Sequence, residues 1–286
     1  SDSQTGQKYA LNCGQKPFKY TPPEGFQPLN YANLPSPGVV RSDQYVGVTT
    51  YLGTGANQQI DVGLKPDLVL VKGRDGSYDP VWQDTVRGLN KTLSSNRDLE
   101  EKTDNDGVLS VNNDGFVVGA NTAGFQSDEL NKSGKNYVTW CFKAGGNKNT
   151  FNVDDVGYAS AAAAGLDGGT ITPTGVSVGT KQGFSIIKWS SGSSTGDFTL
   201  SHGLGNVPRF IIQKQLDTGN WWVYHADVID DMKKYMQLNS TNDVATNSAN
   251  MWGASAPTSS VFGVRVGDLI AASKDAITYL WADIPG

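Results

Sequence analysis

Side chains able to do acid–base, metal or covalent chemistry are sparse in this chain. Histidine occurs only at His202 and His225. An imidazole metal site draws on two or three histidines with carboxylates nearby, and this pair fits no ligand spacing. His202, in Ser201-His202-Gly203-Leu204, reads instead as a turn residue with a satisfied ring. A glycosidase needs two carboxylates facing each other across a groove. Glu24, Glu100, Glu101 and Glu129 stand in no recognisable frame, although aspartates could serve in their place. Asp104, Asp106 and Asp114 could hold calcium weakly, but they lack the full Asp-x-Asp-x-Asp-Gly frame and its closing bidentate Glu. No Gly-x-Ser-x-Gly elbow and no phosphate-binding loop occurs. Gly203-Leu204-Gly205 is a turn before a strand. Cys13 and Cys141 sit in different segments, too few for a disulfide scaffold, and leave the redox compartment open. These residues predict no catalytic centre, no metal site and no cofactor.

The elements that must position any site are strands. Charged residues make up 18 % of the chain, hydrophobic ones 37 %, and there are 34 glycines. That balance suits many short strands and turns. Asp67-Leu68-Val69-Leu70-Val71 and Phe210-Ile211-Ile212 are apolar runs bounded by Pro and polar residues, as central strands of a sandwich are. Tyr45 to Tyr51 and Phe184 to Trp189 are β-branched and aromatic. Asp104-Asn105-Asp106-Gly107 and Asn112-Asn113-Asp114-Gly115 read as hairpin turns, with Asp-Gly supplying positive φ. The best helical candidate, Ala226 to Tyr235, is short. A net charge of −5 argues against nucleic acid as partner. No apolar run is long enough to span a bilayer, so no membrane insertion is expected. Ser1-Asp2-Ser3-Gln4 carries no signal pattern and no initiator Met, as expected of a part processed or excised from something longer.

The chain repeats itself. Gly63-Leu64-Lys65-Pro66-Asp67-Leu68-Val69-Leu70-Val71-Lys72 is answered by the block from Gly203 to Lys214, with a short insertion before the second proline. Val81-Trp82 is answered by Trp221-Trp222, Lys91 to Asn96 by Tyr235 to Ser240, Asp114 to Gly119 by Ser260 to Val264, and Tyr137 to Gly146 by Ile277 to Gly286. The period is too long for a solenoid, so each copy is expected to be a domain with its own core. The fold expected is all-β: two tandem, diverged copies of a β-sandwich-like domain behind a proline-rich extended segment. The boundaries read as residues 1–40 for that segment, 41–146 for the first copy, 147–167 for a linker and 168–286 for the second copy. Gly169 to Val178 alternates as a hairpin of the second copy would.

Asn12-Cys13-Gly14-Gln15-Lys16-Pro17-Phe18-Lys19-Tyr20-Thr21-Pro22-Pro23-Glu24-Gly25-Phe26-Gln27-Pro28-Leu29-Asn30 resembles the closing segment of SPRY-type, concanavalin-like domains in tail proteins of marine bacteriophages and cyanophages. A duplicated domain commonly follows it there. The blocks Gly63 to Lys72, Thr85-Val86-Arg87-Gly88, Leu93 to Asn96, Asp114-Gly115-Phe116 and Trp140 to Gly146 look like its first copy. Phe184 to Ile187, His202 to Gly205, Leu238 to Thr241 and Ser259 to Phe262 look like its second. The resemblance implies a virion structural protein assembled in the host cytoplasm: a tail fibre, tailspike or other appendage that attaches to the host surface. It implies other virion proteins and a host glycan or protein as partners, and by analogy a homotrimer. The family transfers no catalytic motif. Two alternatives stand beside this reading, a polysaccharide-degrading tailspike enzyme and a capsid or tail decoration protein without ligand.

The aromatic residues divide on the repeat. Trp82 and Trp222 are read as matching positions and Trp140 and Trp281 as neighbours in the matching final strand, and residues kept in both copies serve a shared core. Trp221, Tyr224 and Trp252 lack aromatic counterparts in the first copy. Exposed rings stack on sugar faces, so these three are the candidate carbohydrate- or receptor-binding residues, against the plainer reading of a small cluster beneath a loop.

Overall fold

A computed structural model describes residues 12, 16–26, 41–122 and 127–284. Arg41–Ile284 forms one compact unit; Ser1–Val40 with Pro285–Gly286 forms another. In the second of these units the described residues contain no helix or strand. Their order comes from local bonds: the Phe26 N–H donates to the Pro23 carbonyl at 3.0 Å, and the Asn12 carboxamide brackets the Lys16 backbone.

The compact unit is all-β. Its first half contains β1 (Val46–Leu52), β2 (Gln58–Asp61), β3 (Leu68–Gly73), β4 (Val81–Asp84), β5 (Lys91–Ser94), β6 (Lys102–Thr103), β7 (Val108–Asn112), β8 (Gly115–Val118), the short helix α1 (Ser127–Asn131) and β9 (Asn136–Phe142). The large sheet there runs β1-β9-β3-β4-β5-β6, and β2-β8-β7 form a small one. The second half contains β10 (Phe151–Val153), β11 (Val156–Tyr158), β12 (Gly175–Gly179), β13 (Phe184–Ser190), β14 (Gly196–Ser201), β15 (Pro208–Gln215), β16 (Trp221–His225), β17 (Lys234–Gln237), β18 (Ala245–Thr246), β19 (Val261–Val266) and β20 (Asp275–Ala282). Its large sheet runs β11-β10-β12-β13-β20-β15-β16-β17-β18, with β14 and β19 paired apart. From β13 onward this order follows the path of the first sheet strand for strand.

Alternate side chains on the central strands enter different cores. Val69 and Val71 of β3 join Ile60, Phe116 and Val118 beneath the first small sheet. Ile211, Tyr224 and Leu280 join Phe262 and Val264 beneath the second. The remaining set, Leu68, Trp82 and Leu93 with Phe184, Ile186, Ile212, Trp221, Val223, Ile277 and Tyr279, forms one cluster drawn from both halves. The unit is therefore layered: small sheet, large sheet, large sheet, small sheet. Strands covered on both faces read as continuous apolar runs, which is why Leu68-Val69-Leu70-Val71 does not alternate.

The backbone pairings correct four expectations. Trp82 opposes Leu70, while Val223 opposes Ile212, so Val223 and not Trp222 takes the position of Trp82. Ala226 to Tyr235 is a turn running into β17, closed by Ile229 N–H on the His225 carbonyl at 2.8 Å. Val228 and Ile229 are β-branched and a single turn gives no helical nucleus. Gly169 to Val178 is not a hairpin: β12 pairs forward with β13 and runs parallel to β10. Part of the stretch read as linker, Phe151 to Tyr158, is itself a hairpin.

The Asn112–Gly115 turn does join β7 to β8, but neither Gly107 nor Gly115 has positive φ. The Asn112 side-chain oxygen accepts the N–H groups of Asp114 and Gly115, both at 3.0 Å. Gly115 is needed for space: a Cβ there would lie 2.0 Å from the Ile60 carbonyl oxygen.

Lys214 is fully buried in β15 and donates to the carbonyls of Gln215 and Asp217 at 2.5 and 2.7 Å. Burial pushes its ammonium down from 10.5 to about 8, against the opposing pull of Asp98 and Asp217. From about pH 8 upward the unfolded chain holds a proton that the native chain releases, so stability rises with pH there. The buried Cys141 thiol and the buried tyrosines titrate in the opposite sense, so urea midpoints are read from pH 8 to about 9 in a Cys141→Ala background, where they are expected to climb. Lys214→Met should flatten that climb; an unchanged slope would place the titration elsewhere.

Candidate functional site

The three aromatic candidates lie inside the protein. Trp221 is 0 % exposed, and its indole N–H donates to the Ser94 carbonyl at 2.9 Å. Trp252 is buried with its N–H on the Lys234 carbonyl at 3.0 Å, and Tyr224 packs edge-on against it with ring centres 5.5 Å apart. A ring with no open face cannot stack on a sugar. Trp221 belongs to the layer between the large sheets, and Tyr224 and Trp252 to the core of the second half.

The other chemical candidates are also engaged. His202 is buried; its Nδ1 accepts the Leu204 N–H at 3.2 Å and its Nε2 lies 3.0 Å from the Thr258 carbonyl oxygen. That pattern puts the ring proton on Nε2. Burial lowers the pKa below 6.5, partly offset by the Thr258 carbonyl. Asp104 accepts the Asp106 N–H, and Asp106 accepts from Thr122. Among the described residues no group of three or more His, Cys, Asp or Glu is arranged to hold a metal ion. Cys141 is buried and unpaired, and burial pushes its thiol up to about 12. Cys13 lies outside the described residues.

Glu129 and Asp79 are neighbours. The Asp79 N–H donates to Glu129 Oε2 at 2.5 Å, while the Asp79 carboxylate holds Arg97 at 2.6 Å and accepts from Asn96 at 2.8 Å. Burial raises the Glu129 pKa, with the Asp79 charge adding to it and its N–H opposing.

Turns from both halves meet around an open cleft of about 630 Å³, a size within the range of ligand sites. The first half contributes Gln44, Tyr45, the β2–β3 turn Gly63-Leu64-Lys65, Asn113, Lys143 and Ala144. The second contributes Lys148, the β10–β11 turn Asp154-Asp155, and Lys181 and Gln182 between β12 and β13. Asp154 and Asp155 have φ of 48° and 65°. Two successive residues at positive φ make the tight turn that suits a two-residue hairpin, and Asp tolerates it better than most side chains.

Both aspartates then hold the cleft together. Asp154 accepts the Thr180 N–H at 2.9 Å and its hydroxyl at 2.6 Å. Asp155 pairs with Lys143 at 2.7 Å, and its N–H donates to the Gly145 carbonyl at 2.8 Å. Gln182 donates to the carbonyls of Lys143 and Ala144, each at 2.9 Å. Behind the floor, buried Asp67 accepts the N–H groups of Ala144 and Gly146 at 2.8 and 3.1 Å. Burial raises the Asp67 pKa even against those bonds. With Asp154 and Asp155 engaged, Lys65, Lys148 and Lys181 give the cleft its positive character. Sequence reasoning missed these residues because they come from turns far apart in the chain. The Asp154-Asp155 pair between valines was the one local signal.

A family model described as Domain of unknown function (DUF7483) matches residues 41–286, and the chain belongs to that family. Neither the curated proteins nor the solved structures give a match to the chain.

Proposed function

We propose that this member of the family is a non-enzymatic bacteriophage virion protein. In this reading it is a tail fibre, tailspike or similar appendage module that attaches to the host surface. The resemblance of the blocks around Asn12 to Asn30 and of both repeats to phage tail proteins supports the setting. The observation that carries the attachment role is the cleft, where exposed Lys148 and Lys181 and half-buried Lys65 stand on turns, Asp155 is paired with Lys143 and Asp154 is hydrogen-bonded to Thr180. Such a site suits an acidic host surface glycan. Fixed backbone turns limit the entropy lost on binding, and exposed ammonium groups meet carboxylate or sulfate groups without deep desolvation.

The test is titration of the intact protein with purified acidic host polysaccharide and with neutral dextran, followed in parallel for new reducing ends. Binding is expected to the acidic polymer alone, to weaken as salt is raised, and to proceed without release of reducing ends. Exposed charge pairs contribute about 0.5–1 kcal/mol each, so the triple variant Lys65→Ala, Lys148→Ala, Lys181→Ala should lose roughly 10- to 100-fold in affinity. Unchanged affinity in that variant, or equal binding of dextran, removes the cleft from the proposal. Sustained release of reducing ends would overturn the non-enzymatic reading and direct attention to Asp79 and Glu129.

A further inference from the structure

The two large sheets share a strand path, so their positions can be compared through the ladders. Val46 opposes Phe142 and Val48 opposes Trp140 in the first sheet. Phe184 opposes Trp281 and Ile186 opposes Tyr279 in the second. Val48 therefore stands where Ile186 stands, and Trp140 where Tyr279 stands. Their surroundings differ. Ile186 and Tyr279 are each 0 % exposed, covered by the first sheet, whereas Val48 is 58 % and Trp140 37 % exposed. Val46 and Leu52 of β1 are open on the same face.

The open face continues an interface that already exists. Along β3 the same side of the sheet carries buried Leu68 and then half-buried Leu70, and along β9 half-buried Phe142 and then exposed Trp140. Phe142 still touches the second sheet, with its ring 5.6 Å from Phe184 and 6.0 Å from Trp281. The two sheets are thus offset, and the first one projects its apolar face past the edge of its cover. β1 is also the edge strand of its sheet, with no strand paired on its outer side among the described residues. A bare apolar face at an unpaired edge is a surface that isolated chains rarely leave open.

We propose that this face is covered by a second copy of the chain, joined through β1 and β9. The fold itself shows what fits the face: at the equivalent positions of the second sheet, the cover is a large sheet of this same topology. The proposal is independent of the cleft and of the attachment role.

The experiment is multi-angle light scattering of the full chain at micromolar concentration, with Val48→Glu and Trp140→Glu beside the wild type. The wild type is expected at a multiple of the single-chain mass of 30.5 kDa, and both variants at the single-chain mass with unchanged circular dichroism. Both positions are solvent-open, so a charge there leaves the buried layers alone; were Trp140→Glu to lose structure, Val48→Glu decides. A wild type at the single-chain mass overturns the proposal, as does an oligomer that survives both substitutions. A single-chain mass with β1 amides protected from hydrogen exchange would assign the cover to another segment of the chain itself, and also overturns it.

Discussion

Arg87→Met is expected to lower the unfolding free energy by about 3–5 kcal/mol, the cost of leaving a buried partner charge uncompensated. Arg87 and Asp84 have fully buried side chains, with Arg87 Nε 2.5 Å from Asp84 Oδ2. Arg87 also reaches Glu101 at 3.1 Å and the Trp82 carbonyl at 3.0 Å. Burial alone would push the guanidinium down; the charges of Asp84 and Glu101 outweigh it and hold the pKa above its ordinary value. Asp84 takes two further bonds from the backbone of Val86 and Arg87, and a third from the Tyr279 hydroxyl at 2.8 Å. Tyr279 lies in β20, so this last bond ties the two halves together. Methionine keeps the packing volume of the Arg stem and strands Asp84 in a dry layer. Urea unfolding at pH 7 measures the loss. Tyr279→Phe should cost less, about 1.5–3 kcal/mol for one bond to a charged group. Removing both ions, as Asp84→Leu with Arg87→Met, should restore part of the stability lost by Arg87→Met alone. A cost below about 1 kcal/mol for Arg87→Met would show that the pair is not what fastens this layer.

Much of the sheet pattern was legible, because strand signals are local. Leu68 to Val71 and Phe210 to Ile212 announced central strands. Which face a residue occupies was less legible. One step of register moves a side chain to the opposite face, and aligning Trp82 with Trp222 by residue type made that one-step error. The ladders place Trp82 with Val223. Turn chemistry was legible in place but not in mechanism: Gly115 follows an Asn112 side-chain cap and is small because Ile60 approaches it.

The site was hardly legible. Trp221, Tyr224 and Trp252 were singled out because they lack counterparts in the first copy, and absence of a counterpart says nothing about exposure. A tryptophan in a loop such as Asn250-Met251-Trp252-Gly253 looks open until the strand beneath it is known, and here that is β16 with Tyr224. The cleft assembles from turns near residues 45, 64, 113, 143, 154 and 181. Each of its lysines is an ordinary surface residue by sequence, and only the packing of the two halves brings them to one opening.

Trp221→Ala is expected to cost about 3–5 kcal/mol, the range for emptying a large aromatic site in a close-packed core. The ring fills the layer between the sheets, 5.2 Å from the ring of Trp82, which in turn lies 5.1 Å from Tyr279. Alanine leaves a void bounded by both sheets and removes the indole N–H bond to the Ser94 carbonyl. Trp221→Phe separates these effects, since it keeps most of the volume and loses the bond, at about 1–3 kcal/mol. The location of the void predicts more than a magnitude. Because the shared layer couples the halves, the wild type should unfold in one transition, with fluorescence and far-UV circular dichroism coincident. Emptying the layer weakens the coupling while leaving the two outer cores intact, so the two signals should separate in Trp221→Ala. Trp252→Ala, which empties a core internal to the second half, should destabilise without weakening the central layer. Coincident transitions in Trp221→Ala with an undiminished midpoint would mean that the halves are held by the buried ion network alone.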